Sequence, residues 1–127
     1  MTGKTILFVE DDFGIAKLLQ HILGRLGYTI NHVPGGREAL SLIEGEGPPD
    51  LVVLDYMLPD ASGLDLLKKI RKDDRWRNVK VMFLSARGRP EDIATVLEAG
   101  ADDYMTKPFK VDELGARVRQ LAEKPGR

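Results

Sequence analysis

An α/β fold built on a parallel sheet of five strands, with helices on both faces, is predicted by three observations. Short apolar runs rich in branched side chains alternate five times with stretches of helical periodicity. Three of those runs show no polar alternation, as strands covered on both faces do, whereas two are short and mixed, as sheet edges are. The chain of 127 residues, 43% hydrophobic and 31% charged, fits one domain with an ordinary core.

The first strand is TILFV, residues 5–9. Behind it Ile15, Leu18, Leu19, Ile22, Leu23 and Leu26 form an apolar stripe at 3- and 4-residue spacing, a helix that Gly27 stops. GYTINHV, residues 27–33, reads as an edge strand, and Ala39, Leu40 and Ile43 mark a helix over 36–45. DLVVL, residues 50–54, is a central strand, followed by a helix over 63–72 with Leu64, Leu67 and Ile70. VKVMFLS, residues 79–85, is the third central strand, and Ile93, Val96 and Leu97 carry the helix over 91–99. ADDYMT, residues 101–106, is the second edge, and Val111, Leu114, Val118 and Leu121 carry the helix over 111–122. Right-handed crossovers and this placement of centre and edges give the order 2-1-3-4-5. That is the flavodoxin-like arrangement, doubly wound, whose ligand crevice opens between strands one and three at their carboxyl ends. Residues 1–122 are read as the domain and 123–127, EKPGR, as a tail or linker stub.

A net charge of −1 and a pI near 6.1 exclude a basic sheath and predict no direct nucleic-acid contact by this domain. With no cysteine there is no disulfide and no thiolate chemistry, which suits a reducing compartment. No apolar run approaches the ~20 residues of a membrane span, and MTGKT lacks the apolar core of a signal peptide. A soluble, cytoplasmic protein without a membrane partner is the expectation.

Three acids, Glu10, Asp11 and Asp12, stand where the first buried strand ends. Adjacent carboxylates repel one another and are costly to desolvate, so a cation is expected among them. The topology brings Asp55, Ser85 and Lys107, from the ends of strands three, four and five, to the same crevice. Asp11, Asp12, Asp55 and Lys107 sum to a formal −2, which a divalent cation neutralises; an open, carboxylate-rich oxygen site suits Mg²⁺. Asp55 is then the plausible nucleophile toward a phosphoryl group, giving an aspartyl phosphate whose oxygens Ser85 and Lys107 hold.

VEDD (9–12), DLVVLDYMLPDASG (50–63), FLSARG (83–88) and GADDYMTKPF (100–109) resemble, in order, the receiver domain of two-component response regulators, the CheY-like family. The resemblance covers essentially the whole chain. It implies Asp11 and Asp12 as the acidic metal pair, Met57 as a metal ligand through its backbone carbonyl, and Asp55 as phosphoacceptor. It also implies Ser85 as switch hydroxyl, Tyr104 as switch aromatic, Lys107 as phosphate-binding lysine, and a cis Lys107–Pro108 bond. Its implied partners are a histidine kinase or histidine phosphotransfer protein and a downstream target or output domain.

Met57 and Arg87, two residues beyond Asp55 and Ser85, are positions expected to slow self-hydrolysis, Arg87 by covering the phosphoryl group. ADDY (101–104) and ELGARVR (113–119) look like the transcription-factor subfamily that pairs through the fourth helix, fifth strand and fifth helix. Asp102 and Asp103 would then meet Arg117 and Arg119 of a second copy. The fourth helix has no base for Glu113, so at most a weak phosphorylation-dependent homodimer is expected. On phosphorylation Ser85 should move inward and admit Tyr104 beneath the fourth helix.

Plainer readings fit other features. His21 and His32 have no ligand partner at useful spacing and read as structural or surface groups. GKT (3–5), DFG (12–14) and GEGPPD (45–50) lack the context of a phosphate loop, a kinase motif and a dinucleotide fingerprint. The competing function is a Mg²⁺-dependent aspartyl-phosphate phosphohydrolase, disfavoured because Met57 offers no general acid and no insertion forms a cap. Flavin binding is disfavoured by the acidic loop after strand one.

Overall fold

A computed structural model describes residues 3–123. Five strands, β1 (Thr5–Val9), β2 (Thr29–Val33), β3 (Leu51–Leu54), β4 (Lys80–Ser85) and β5 (Asp103–Thr106), pair in parallel in the order β2-β1-β3-β4-β5. Between and after them run α1 (Phe13–Arg25), α2 (Gly36–Gly45), α3 (Gly63–Lys72), α4 (Pro90–Glu98) and α5 (Val111–Ala122). The tail read as 123–127 lies, apart from Glu123, outside the described residues.

Alternation of side chains along the strands divides the core in two. Leu7, Val9, Val52, Leu54, Val81 and Phe83 face the side covered by α2, α3 and α4. Ile6, Phe8, Leu51, Val53, Met82 and Leu84 face α1 and α5. Both sets are buried, which is why residues 6–9, 51–54 and 81–84 of the three central strands include no polar side chain. In α1 only Leu19 and Leu23 of the stripe are fully buried, with Ala16 beside them, and Leu18 is exposed. Each buried leucine there is worth about 2 kcal/mol of transfer free energy.

Edge strands are shorter than the sequence pattern suggests, and the reason is local. Gly27 and Gly100 adopt φ of +97° and +113°, turning the chain out of α1 and α4. Tyr28 and Ala101 then bury themselves before pairing begins. Arg71 braces the lower end of the sheet. It donates to the carbonyls of Gly100, Arg77 and Val79 and pairs with Asp102 at 3.2 Å. Trp76, between α3 and β4, is buried with its indole N–H on the Glu46 carbonyl at 2.8 Å, at the end of the sheet away from the crevice.

The start of α2 shows how the crevice loops support one another. Gly35 at its N-cap has no side chain to offer the first N–H groups. Asp60, from the loop after β3, supplies them instead, accepting from Gly36 N at 2.8 Å and Arg37 N at 3.0 Å. The Gly36 amide, then the Arg37 amide, hold the Asp60 carboxyl below its ordinary range. A carboxyl that is a stronger acid when folded adds stability above its ordinary value of 3.8, and that stability is lost as pH falls through the folded value. Asp60→Ala is therefore expected to lower the Tm at neutral pH, with the gap to wild type closing as the pH is taken below 3.8. Thermal melts across that range check it; a gap independent of pH would show that the charge of Asp60 is not what caps α2.

Candidate functional site

The crevice at the carboxyl ends of β1 and β3 gathers the acids. Glu10 still belongs to the sheet, its N–H donating to the Val33 carbonyl at 3.1 Å, and it is 1% exposed. His32 on β2 steadies this end through a 2.6 Å contact from Nε2 to the Glu10 carbonyl, and its ring meets Phe13 edge-on. Asp55 follows β3 and is held by its own N–H on the Val9 carbonyl at 3.2 Å. Carboxylate oxygens of Glu10, Asp11 and Asp55 come within 4.8 Å of one another. At an effective dielectric of about 20, two full charges at such a spacing repel by roughly 3 kcal/mol. Three carboxylates against one ammonium leave −2 uncompensated, and an all-oxygen donor set at this spacing fits a hard divalent cation.

Each Asp55 oxygen has a separate partner. Ser85 Oγ donates to Oδ1 at 2.9 Å, and Met57 N–H donates to the same oxygen at 3.1 Å. Lys107 Nζ donates to Oδ2 at 2.9 Å and also to Glu10 Oε1. Lys107 reaches both acids from the end of β5, where the Lys107–Pro108 bond is cis. Burial pulls the Lys107 ammonium down, but its hydrogen bonds to Glu10 and Asp55 outweigh that and hold it above the ordinary lysine range. Burial pushes the Glu10 carboxyl up, more than Lys107 pulls it down.

Asp12 is not among the gathered acids. Its Oδ1 accepts from Gly14 N at 2.8 Å and Ile15 N at 3.2 Å, so it is the N-cap of α1. The family resemblance implies Asp11 and Asp12 as the acidic pair; the structure instead gathers Glu10 and Asp11 beside Asp55. The missed signal was the capping preference itself, an aspartate immediately before a helical stripe.

The loop from Asp55 to α3 is tight. Gly63 N–H meets the Tyr56 carbonyl at 2.7 Å, Met57 and Ser62 face each other as one antiparallel pair, and Ser62 Oγ caps Leu64 N. Tyr104 lies inward, 8% exposed, its ring stacked on Phe83 at 5.7 Å and its hydroxyl donating to the Arg87 carbonyl. Ser85 on Asp55 and Tyr104 inside thus occur together here.

The surface acids also differ from expectation. Asp102 is engaged within the chain by Arg71 and by Val81 N at 2.8 Å. Asp103 pairs with Arg117 of the same chain at 3.1 Å, and Glu113 finds its base in Arg117 at 2.8 Å, one helical turn on, rather than in α4.

Five parallel strands in this order bring acids at β1, a carboxylate at β3, a hydroxyl at β4 and a lysine at β5 to one crevice. The sequence model of the response regulator receiver domain matches residues 6–119. The transcriptional regulatory protein TcrA of Mycobacterium tuberculosis is 41% identical over 124 residues, covering 98% of this chain and 48% of TcrA. The receiver domain of Francisella response regulator 1452 superposes with a TM-score of 0.87 at 36% identity, over 95% of this chain and 98% of that one. The receiver domain of sensor histidine kinase PA1611 from Pseudomonas aeruginosa, solved with a magnesium ion coordinated in its active site cleft, superposes at 0.86 with 30% identity, over 96% of this chain and 99% of that one. The chain belongs to the response regulator receiver domain family of two-component signalling, and it spans about half the length of the curated relatives it matches.

Proposed function

We propose that this receiver domain switches by taking a phosphoryl group on Asp55. One observation carries the reading: the Asp55 carboxylate ends the central strand with Ser85 and Lys107 on different oxygens and two further acids beside it. An Asp55 oxygen attacks phosphorus, and the bond to the leaving group breaks with its electron pair. From a phosphohistidine of a kinase or phosphotransfer protein, the imidazole nitrogen takes that pair. Ser85 and Lys107 are then placed to transfer their hydrogen bonds from the carboxylate to phosphoryl oxygens. Asp11 and Asp55 would hold Mg²⁺ with the Met57 carbonyl, Glu10 lying alongside, and the ion would offset the charge of the carboxylate and phosphoryl oxygens. The magnesium in the PA1611 cleft supports that choice of metal.

The remaining parts of the reading follow from the family. Residues 1–122 form the receiver, in the cytoplasm, and its α4-β5-α5 face addresses a target protein or an output domain. Self-phosphorylation and self-dephosphorylation are its only chemistry. The phosphohydrolase alternative has no support among relatives that are transcriptional regulators. A second copy would pair weakly, because Asp102 and Asp103 are already engaged within the chain. Among the described residues no helix is long and apolar enough to cross a membrane.

Incorporation of phosphoryl groups from acetyl phosphate tests the site. It should require Mg²⁺, stop with a chelator, and fall by at least about tenfold in Asp11→Asn. Asp12→Ala should keep the metal dependence and lose only the helix cap. The reverse ranking of the two variants would overturn the assignment of the acids.

A further inference from the structure

Arg87 touches Ser85, Tyr104, Tyr56, Met57 and Asp92. Its N–H donates to Ser85 Oγ at 3.3 Å, and its carbonyl accepts from Tyr104. Its guanidinium lies 4.5 Å from the Tyr56 ring centroid, with one nitrogen 3.4 Å from Met57 Sδ, so it rests on the two residues that follow Asp55. On its other side Nε is 3.9 Å from Asp92 Oδ2, in the first turn of α4. The two polar contacts of the guanidinium are weak ones. A thioether is a poor acceptor, the ion pair is long, and Asp92 is better served by Arg89 at 3.0 Å.

A guanidinium held so loosely beside Asp55 has a far stronger acceptor in prospect. An acyl phosphate brings about −1.5 to −2 charges and three acceptor oxygens, which the planar fork of arginine matches. The helix at the other end of the contact is lightly anchored, with Val96 its one fully buried residue. Its far end is fixed, because Arg71 holds the Gly100 carbonyl with two N–H groups at 3.1 and 2.7 Å. Loss of the Arg87–Asp92 contact would free the first turn of α4 while the end at Gly100 stays as pivot.

We propose that Arg87 is a positioning residue that exchanges Asp92 for the phosphoryl group, carrying the charge event at Asp55 to the first turn of α4. The proposal rests on Asp55 being the acceptor. It makes the side chain of Arg87, besides the Ser85–Tyr104 pair, a route from crevice to output face.

The test is a double-mutant cycle on binding of beryllofluoride, a phosphoryl mimic, in Mg²⁺ by calorimetry, with amide exchange of α4 read alongside. Asp92→Asn removes the competitor and should tighten binding by about threefold. Arg87→Met should weaken it by about tenfold, and the double variant should match Arg87→Met alone. In wild type the mimic should speed exchange of the Asp92 and Ile93 amides, which bond to the Arg89 carbonyl. In Arg87→Met that exchange should be fast already and unresponsive. An Asp92→Asn effect that persists without Arg87, or α4 exchange indifferent to the mimic, overturns the proposal. Absence of binding to wild type would instead overturn the reading of Asp55, and the proposal with it.

Discussion

Lys107→Met is expected to lose phosphorylation by acetyl phosphate by at least about a hundredfold and, without divalent cations, to lose about 3 kcal/mol of stability. Both losses have one origin. Lys107 is the ammonium shared by two buried acids, at 2.9 Å from Asp55 and hydrogen-bonded to Glu10, and its own side chain is 14% exposed. Methionine fills the same volume and leaves those carboxylates facing each other. The sign of the pH effect separates this from a packing defect. With its folded pKa raised, Lys107 stabilises wild type throughout the neutral range, and that contribution is lost only as pH rises above the ordinary lysine value of 10.5. In the variant, burial and Asp55 act on Glu10 with only the Asp12 N–H left to oppose them, so its folded pKa rises further and stability should recover as pH is lowered toward 4.5. Mg²⁺ should recover part of it at neutral pH. Denaturant titrations with Mg²⁺ and with chelator check this. A variant as stable as wild type in chelator at neutral pH would show that the acids are not strained.

Gly63→Ala is expected to destabilise the domain by about 3 kcal/mol or more and to abolish phosphorylation. A Cβ at position 63 would lie 2.2 Å from the Asp55 carbonyl oxygen and 3.1 Å from the Phe83 ring. Neither is the end of a flexible chain. The peptide following Asp55 would have to move, and with it the Met57 N–H that fixes Oδ1. Gly45→Ala is the control, since nothing lies within 4 Å of a Cβ there; it should leave both stability and phosphorylation near wild type. Equal effects of the two substitutions would refute the close-approach account.

The fold was legible because burial on both faces leaves a mark in composition: LVVL and VMFL have no polar interruption, and TINHV does. Topology then brought residues as distant as Asp11 and Lys107 to one crevice before any side chain was placed. What composition could not resolve was the register of three adjacent acids. All three can serve a metal by type, and only the demand of the first α1 amides for an acceptor takes Asp12 away. The same limit applies to Asp102 and Asp103. Adjacent on an edge strand, they read alike, yet one turns inward to Arg71 and the Val81 amide and the other outward to Arg117. The role of Asp60 was also invisible, because its partners in α2 lie 24 and 23 residues away.

The most direct measurement is the position of the phosphoryl group itself. The protein is treated with acetyl phosphate and Mg²⁺, the acyl phosphate is reduced with borohydride to leave a homoserine, and the peptides are sequenced by mass spectrometry. The predicted result is conversion at Asp55 alone, absent from Asp55→Asn. Conversion at Glu10, Asp11 or Asp12 in wild type, or undiminished labelling of Asp55→Asn, would contradict it.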